Sequence, residues 1–399
     1  MFSTRTDWKL TRNRYTEAIE AAQAAGCRLL DLTASNPTRI GLSYDSAAIL
    51  GALGSTRAMD YDPQAKGLLS AREAVASYYA ERLASGQRDV AGKVPTGIDP
   101  ERVVLTTSTS EGYSFVFRLI CNAGDELLVP KPSYPLFEFL ADLQDVKLAP
   151  YPLIYDHGWQ MDFHSLEKAV TGRTRGVVVV HPNNPTGSYV QAGEFAALNA
   201  FCKAHELALI VDEVFLDYPV DGREHTSFVS NEDVLTFTLS GLSKISALPQ
   251  MKVAWVATSG PQGEAGEAMG RLEVIADTYL SMNAPTQWAI PILLEQRKSI
   301  QQQLLGRVKK NLAELDRQLA QQKACERLCV EGGWYAVLRV PVTRSDEELA
   351  IELVRKKSVL VHPGHFYDFP SDGCLVLSLI AEEQEFREGI VRVLEMLNC

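Results

Sequence analysis

No apolar run in this chain is long enough to cross a bilayer, which needs about 20 such residues in succession, so a membrane protein is not expected. Positive charge is also in deficit. Lys and Arg total 39 against 50 Asp and Glu, a formal net charge of -11. Nucleic-acid binding needs clustered excess cations, so an acidic chain argues against it. The seven cysteines are Cys27, Cys121, Cys202, Cys325, Cys329, Cys374 and Cys399. Scattered and odd in number, they suit a reducing compartment in which thiols stay free. Cys325 and Cys329 have no second pair or nearby His to complete a metal site, and no metal is expected. Low-complexity segments, fixed-period repeats and long linkers are missing. Met1 to Arg14 has basic residues but no apolar stretch after them, unlike a secretory signal. What is present is 399 residues, 46% hydrophobic and 22% charged. That suffices for one large or two modest domains with a full core. A soluble cytoplasmic enzyme is the expected class.

The apolar pattern changes character along the chain. Leu68 to Leu83 predicts an amphipathic helix with Leu68, Ala71, Val75, Tyr78, Tyr79 and Leu83 on one side. Short β-rich runs follow at Val103 to Leu105, Leu127 to Val129, Val177 to Val180, Leu207 to Val211, Val234 to Leu239 and Val253 to Ala257. Helix-like segments such as Glu194 to His205 separate several of them. Continuous Val/Leu runs suit strands covered on both faces, so the fold class is α/β with a mostly parallel sheet. Thr286 to Gln322 predicts a long helix bent or broken at Pro291. Beyond it come a strand from Trp334 to Val340, a helix from Ser345 to Lys357, strands at Val359 to Val361 and Leu375 to Leu379, and a closing helix. These form a small α+β unit, with the N-terminal residues packed against it. The expected domains are 45–285 for the large one, and 1–44 with 286–399 for the small one.

The polar residues that end the apolar runs are the candidates for chemistry. Ser240-Gly241-Leu242-Ser243-Lys244 follows the run Val234 to Leu239. A lysine at the end of a buried strand is desolvated, which lowers its pKa and suits it to Schiff-base chemistry. A lone loop lysine in solvent is the plainer reading. Asp212-Glu213 ends the run Leu207 to Val211, where ligands bind in open α/β sheets; a helix-capping aspartate is the common alternative. His181-Pro182-Asn183-Asn184-Pro185-Thr186-Gly187 follows a Val-rich run and by itself reads as a turn. Ser108-Thr109-Ser110 precedes a helical segment and could bind an anion or simply cap the helix.

Taken in order, these motifs resemble the class I/II aminotransferases, fold type I enzymes that depend on pyridoxal phosphate. The resemblance runs from about Leu32 to Leu397. It rests on Asn-Asn-Pro-Thr-Gly, then Asp-Glu-Val-Phe, then Ser-Gly-Leu-Ser-Lys. It implies that Lys244 binds the cofactor as a Schiff base and shuttles the substrate proton. It also implies that Asp212 pairs with the pyridine nitrogen, which makes the ring an electron sink, and that Asn184 donates to the phenolic oxygen. Tyr134, in Pro132-Ser133-Tyr134-Pro135, would stack on the ring, and Ser108, Thr109 and Ser110 would cradle the phosphate. Tyr61, in Tyr61-Asp62-Pro63, would reach the phosphate from a second subunit, making the enzyme a homodimer with shared sites.

Four positions depart from the family pattern. Phe215 stands where many members have a tyrosine that donates to the phenolic oxygen, which predicts a raised pKa for the Lys244 linkage. Lys252 replaces the phosphate-binding arginine, keeping the charge but losing the bidentate fork. Gly241 replaces a hydroxyl residue, with Ser240 as the expected substitute. Val376, in Leu375-Val376-Leu377-Ser378-Leu379, takes the place of the arginine that holds the substrate carboxylate. Arg39, in Ser35-Asn36-Pro37-Thr38-Arg39, is the best replacement, with Asn36 beside it; a surface arginine is the plainer reading. Trp334, Tyr335, His362, His365 and Tyr367 are further candidates from the small unit, with packing or solvent exposure as the default. The expected activity is transfer of an amino group between an amino acid or amine and a 2-oxo acid by a ping-pong mechanism. Alternatives are a C–S or elimination lyase on the same fold, and a non-catalytic cofactor-binding regulator. For the regulator, no DNA-binding module is present and Met1 to Leu30 is too short for one. The sequence leaves donor, acceptor and pathway open.

Overall fold

The computed structural model describes residues 1–84 and 97–397; the side chain of Leu83 and Cys399 lie outside that description. Among the described residues, eight strands form the main sheet. Their order is Val103–Thr106, Ala254–Ser259, Thr236–Gly241, Ala208–Asp212, Thr174–Val180, Glu126–Lys131, Lys147–Tyr155 and Trp159–Met161. The four central pairings are parallel. Ala254–Ser259 and Trp159–Met161 run antiparallel to their neighbours.

The valine run explains why this sheet is covered twice. Val177 and Val179 turn to one face and Val178 and Val180 to the other, as the period of two requires. On one side they meet Leu166, Leu198, Phe201 and Cys202 from Phe163–Ala169 and Ala192–His205. On the other they join Tyr113, Val116, Phe117 and Leu272 from Thr109–Ile120 and Gln262–Tyr279. Each predicted run is a strand, and Leu69–Ala84 is the predicted amphipathic helix, with Ala71, Val75, Tyr78 and Tyr79 buried.

The second unit has its own antiparallel sheet, in the order Glu326–Arg327, Tyr335–Arg339, Cys374–Ser378 and His362–Pro363. Leu30–Asp31 pairs in parallel with Val359–Leu360, tying the N-terminal segment to it. The predicted break at Pro291 is not where the chain bends. Pro291 lies on the exposed face inside Ala284–Glu295, where water can take up the carbonyl it frees. The helix ends at Gln296 instead, and Arg297–Leu319 starts afresh. There the buried Arg297 guanidinium reaches back to the Leu294 carbonyl at 2.9 Å and pairs with Glu81 at 2.5 Å. No described helix is long and apolar enough to cross a membrane.

Candidate active site

Five of the strands that share one direction deliver the motifs at their carboxyl ends, where ligands bind in open α/β sheets. Val103–Thr106 leads into Ser108, Glu126–Lys131 into Ser133 and Tyr134, and Thr174–Val180 into Asn183 and Asn184. Ala208–Asp212 ends on Asp212, and Thr236–Gly241 leads directly into the short helix Leu242–Ile245 that carries Lys244. Strand register brings the last three together: the His181 N–H donates to the Asp212 carbonyl at 2.8 Å, and the Glu213 N–H to the Leu239 carbonyl at 2.8 Å.

Asp212 is buried. It accepts the Tyr113 hydroxyl on Oδ2 at 3.1 Å and the Val214 N–H on Oδ1 at 3.0 Å. Burial pushes its pKa up to about 6, against those two hydrogen bonds and the Lys244 charge. The Lys244 ammonium lies 4.9 Å from the Trp334 ring centre and 5.4 Å from that of Phe215. Burial pushes it down to about 8, with the Asp212 carboxylate opposing in part. The two groups thus move toward each other in pKa, both because charge is costly in this pocket. Phe215 and Trp334 meet edge to face at 5.1 Å. Asn184 is buried and its Oδ1 has no hydrogen-bond partner, an amide held for a group that the polypeptide does not supply. Tyr134 is about one-third exposed at 36%, and desolvation of its phenol, with the Asp212 charge adding to it, raises its pKa.

Ser108 caps Thr109–Ile120, accepting the Glu111 N–H at 3.2 Å, while the Glu111 carboxylate takes the Thr107 N–H at 2.7 Å. The Thr109 and Ser110 amides have no partner among the described residues and face outward from a helix N-terminus, where an anion is favoured.

The remaining expected residues differ in their surroundings. The Ser240 hydroxyl is buried and donates to the Glu213 carbonyl at 3.3 Å. Gly241 itself is forced: a Cβ there would lie 2.7 Å from the Val253 carbonyl oxygen. Lys252 is exposed at φ 54 after the turn Pro249–Met251, its ammonium unpaired among the described residues. Tyr61 is 84% exposed and lines a separate cleft of about 330 Å³ with Gly67, Leu105, Phe115 and Met282. Val376 is fully buried opposite Val337 and His362. His362 Nδ1 meets the Tyr367 hydroxyl at 2.9 Å, and burial lowers the imidazole pKa. Tyr335 is buried, and His365 is exposed against Phe366. Asn36 and Arg39 are exposed; Asn36 Oδ1 caps the turn Pro37–Arg39 by accepting the Thr38 N–H at 3.0 Å.

Tyr113 is the residue that sequence reasoning missed. It lies on the buried face of Thr109–Ile120 among Phe115, Val116 and Phe117, where an aromatic reads only as core.

A lysine and a buried carboxylate lie at the carboxyl ends of adjacent strands, beside a helix N-terminus that favours an anion, an arrangement suited to group transfer on a bound anionic cofactor. The model for aminotransferases of class I and II matches residues 47–391, and the chain belongs to that family. It is 28% identical over 383 residues to an alanine aminotransferase of Mycobacterium tuberculosis, spanning 93% of this chain and 86% of that one. Over 276 residues it is 30% identical to the glutamate-pyruvate aminotransferase AlaA of Escherichia coli, covering 69% of this chain and 65% of that protein. The fold matches that of an alanine aminotransferase from Pyrococcus furiosus, with a TM-score of 0.88 at 20% identity over 100% of both chains. The family depends on pyridoxal phosphate, and the chain is an aminotransferase.

Proposed function

We propose that this aminotransferase holds pyridoxal phosphate on Lys244 and moves amino groups between small amino acids and 2-oxo acids. The observation that carries the reading is that Lys244 and the buried Asp212 lie at the carboxyl ends of adjacent parallel strands on the same edge of the sheet, with burial lowering the one pKa and raising the other. When bound, the cofactor supplies an electron sink for the carbanion formed at the substrate α-carbon. Asp212 would face the pyridine nitrogen, with Tyr113 and the Val214 N–H fixing its carboxylate. Asn184 would donate to the phenolic oxygen. Tyr134 would cover the ring, and Ser108, Thr109 and Ser110 would meet the phosphate with help from the Lys252 charge. Tyr61 would come from a second copy of the chain, which fits its exposure. The Lys244 Nζ would take the proton from the substrate α-carbon and return it, a task for an amine whose pKa lies near the working pH. Phe215 and Trp334 flank that nitrogen with apolar ring surface.

We propose that Arg39 holds the substrate carboxylate. Tyr44 joins the Pro37 carbonyl at 3.4 Å to the Ala247 carbonyl at 2.9 Å, so the turn bearing Arg39 is tethered beside the Lys244 turn. The Ser378 hydroxyl donates to the Ala34 carbonyl at 2.5 Å, placing the same segment near Val376. The Arg39 guanidinium has no partner among the described residues. The names of the relatives suggest alanine or glutamate as the first donors to try, with pyruvate or 2-oxoglutarate as acceptors.

The test is a coupled assay of those pairs with the purified protein. Transfer that disappears in Lys244→Ala supports the reading; ammonia released without any acceptor would replace it with a lyase. Arg39→Ala is expected to raise KM for the donor roughly 10- to 100-fold with kcat little changed, the pattern of lost uniform binding. An unchanged KM would return Arg39 to the surface.

A further inference from the structure

The helix that carries Lys244 is four residues long, Leu242–Ile245. A segment that short has too few internal hydrogen bonds to hold its own direction. Its direction comes from outside. Tyr218 Oη donates to the Lys244 carbonyl at 2.6 Å, Gln301 Nε2 to the Ile245 carbonyl at 2.9 Å, and Tyr44 Oη to the Ala247 carbonyl at 2.9 Å. These donors come from the loop after Asp212, from the long helix Arg297–Leu319, and from the segment before Ser46–Leu53. Gln301 is itself fixed. The same nitrogen donates to Asp217 Oδ2 at 2.7 Å, and that buried carboxylate also accepts the Tyr78 hydroxyl at 3.1 Å and pairs with Arg82. At the other end of the turn, the Leu242 N–H donates to the Val253 carbonyl at 3.0 Å, against which Gly241 is already pressed.

We propose that Tyr218, Gln301 and Tyr44 are positioning residues that together aim the Lys244 amine, with Asp217 as the fixed anchor of Gln301. A lysine stem is long and flexible. The direction of its Cα–Cβ bond therefore decides whether Nζ lies against the Phe215 and Trp334 rings or swings away from them. Three carbonyls held by three separately packed elements fix that direction as a tripod fixes a plane. Proton transfer is sensitive to such placement, since a misplacement of ~1 Å costs on the order of 10²-fold in rate.

The inference rests on the reading of Lys244 as the proton carrier. If Lys244→Ala kept its activity, that reading would fall; the variants below test only the aim. Tyr218→Phe, Gln301→Met, Tyr44→Phe and the double variant Tyr218→Phe/Gln301→Met are compared with the parent. In the full-length chain freed of cofactor, Lys244 acylation by acetic anhydride is followed against pH by peptide mass spectrometry. This gives a titration midpoint that needs no turnover. In the loaded enzyme, kcat and KM for the donor are measured, and thermal unfolding reports the fold. The double variant is expected to lose ~10²-fold in kcat with little change in KM. Its Lys244 midpoint is expected to move up toward that of an ordinary lysine, as a loosened turn lets the ammonium reach water. Single variants move the same way by less. Variants that unfold at lower temperature yet keep the parent midpoint and kcat would overturn the proposal, because packing alone explains that result. If the double variant does not fold, Tyr44→Phe decides, since it loses one hydroxyl from a half-buried ring. An unchanged midpoint and kcat there overturn the proposal as well.

Discussion

An ordinary lysine keeps its proton throughout the neutral range, but Lys244, pushed by burial to about 8, begins to give it up there. The cost of this tuning can be followed with pH. Lys244 binds fewer protons folded than unfolded, so its contribution to stability grows as pH rises from about 8 toward its ordinary 10.5. Asp212 runs the other way. Its folded pKa of about 6 exceeds the ordinary 3.8, so its penalty is full above pH 6 and is relieved as pH falls through that window. Asp212→Asn is therefore expected to stabilise the cofactor-free protein at pH 8 by up to about 3 kcal/mol. Urea unfolding should show the gain shrinking between pH 7 and pH 4; a gain equal at both ends would remove burial as the cause. Phe215 gives a second test at this scale. Its ring lies 5.4 Å from the Lys244 ammonium and offers no hydroxyl. Phe215→Tyr should lower the pH midpoint of the visible absorbance of the Lys244 linkage, and a midpoint that stays or rises contradicts the assigned geometry.

At the scale of elements, the turn Gly241 to Lys244 is the most constrained part of the site. Gly241→Ala would drive a methyl into the Val253 carbonyl, and overpacking against rigid backbone costs about 1–3 kcal/mol or more. The expected result is a lower urea midpoint together with weaker cofactor retention; a variant as stable as the parent would mean that the strand beside it yields. The strands that position the catalytic groups were legible because central parallel strands are apolar on both faces. Lys147–Tyr155 was not. It carries Pro150 and Pro152, is half exposed, and pairs with Trp159–Met161 only from Leu153 onward, so its outer side tolerates proline. The break after Glu295 was hidden for a different reason. Proline is a local signal, whereas the hydrogen bond from Arg297 to Leu294 depends on a side chain buried by tertiary packing. Ala284–Glu295 packs on Ser46–Leu53 and Leu69–Ala84, and we propose that this helix belongs with the large domain. Tyr113, Tyr44 and Gln301 were equally out of reach, since each acts through a partner 99, 203 or 56 residues away.

For the whole molecule, the two units share one core. Phe215, Tyr218 and Ala247 from around the Lys244 turn pack into the same cluster as Trp334, Val376 and Phe386. The Lys244 pocket therefore lies at their junction. We propose that Tyr61 completes the site of a second copy of the chain. Met59, Tyr61, Tyr279 and Leu280 are all exposed, and Tyr61 and Leu280 line the same cleft. Sedimentation should give twice the mass of the chain. A mixture of inactive Lys244→Ala with a Tyr61 variant that has lost its cofactor should regain activity on subunit exchange, through the one hybrid site with both residues intact. No recovery would place Tyr61 outside the site. The central claim is narrower, namely that Lys244 is the residue that joins the cofactor. Borohydride reduction of the protein loaded with pyridoxal phosphate, followed by peptide mass spectrometry, addresses it directly. The account predicts a reduced cofactor adduct on Lys244, absent when an amino donor is added first; an adduct on Lys252 or another lysine, with Lys244 unmodified, would contradict it.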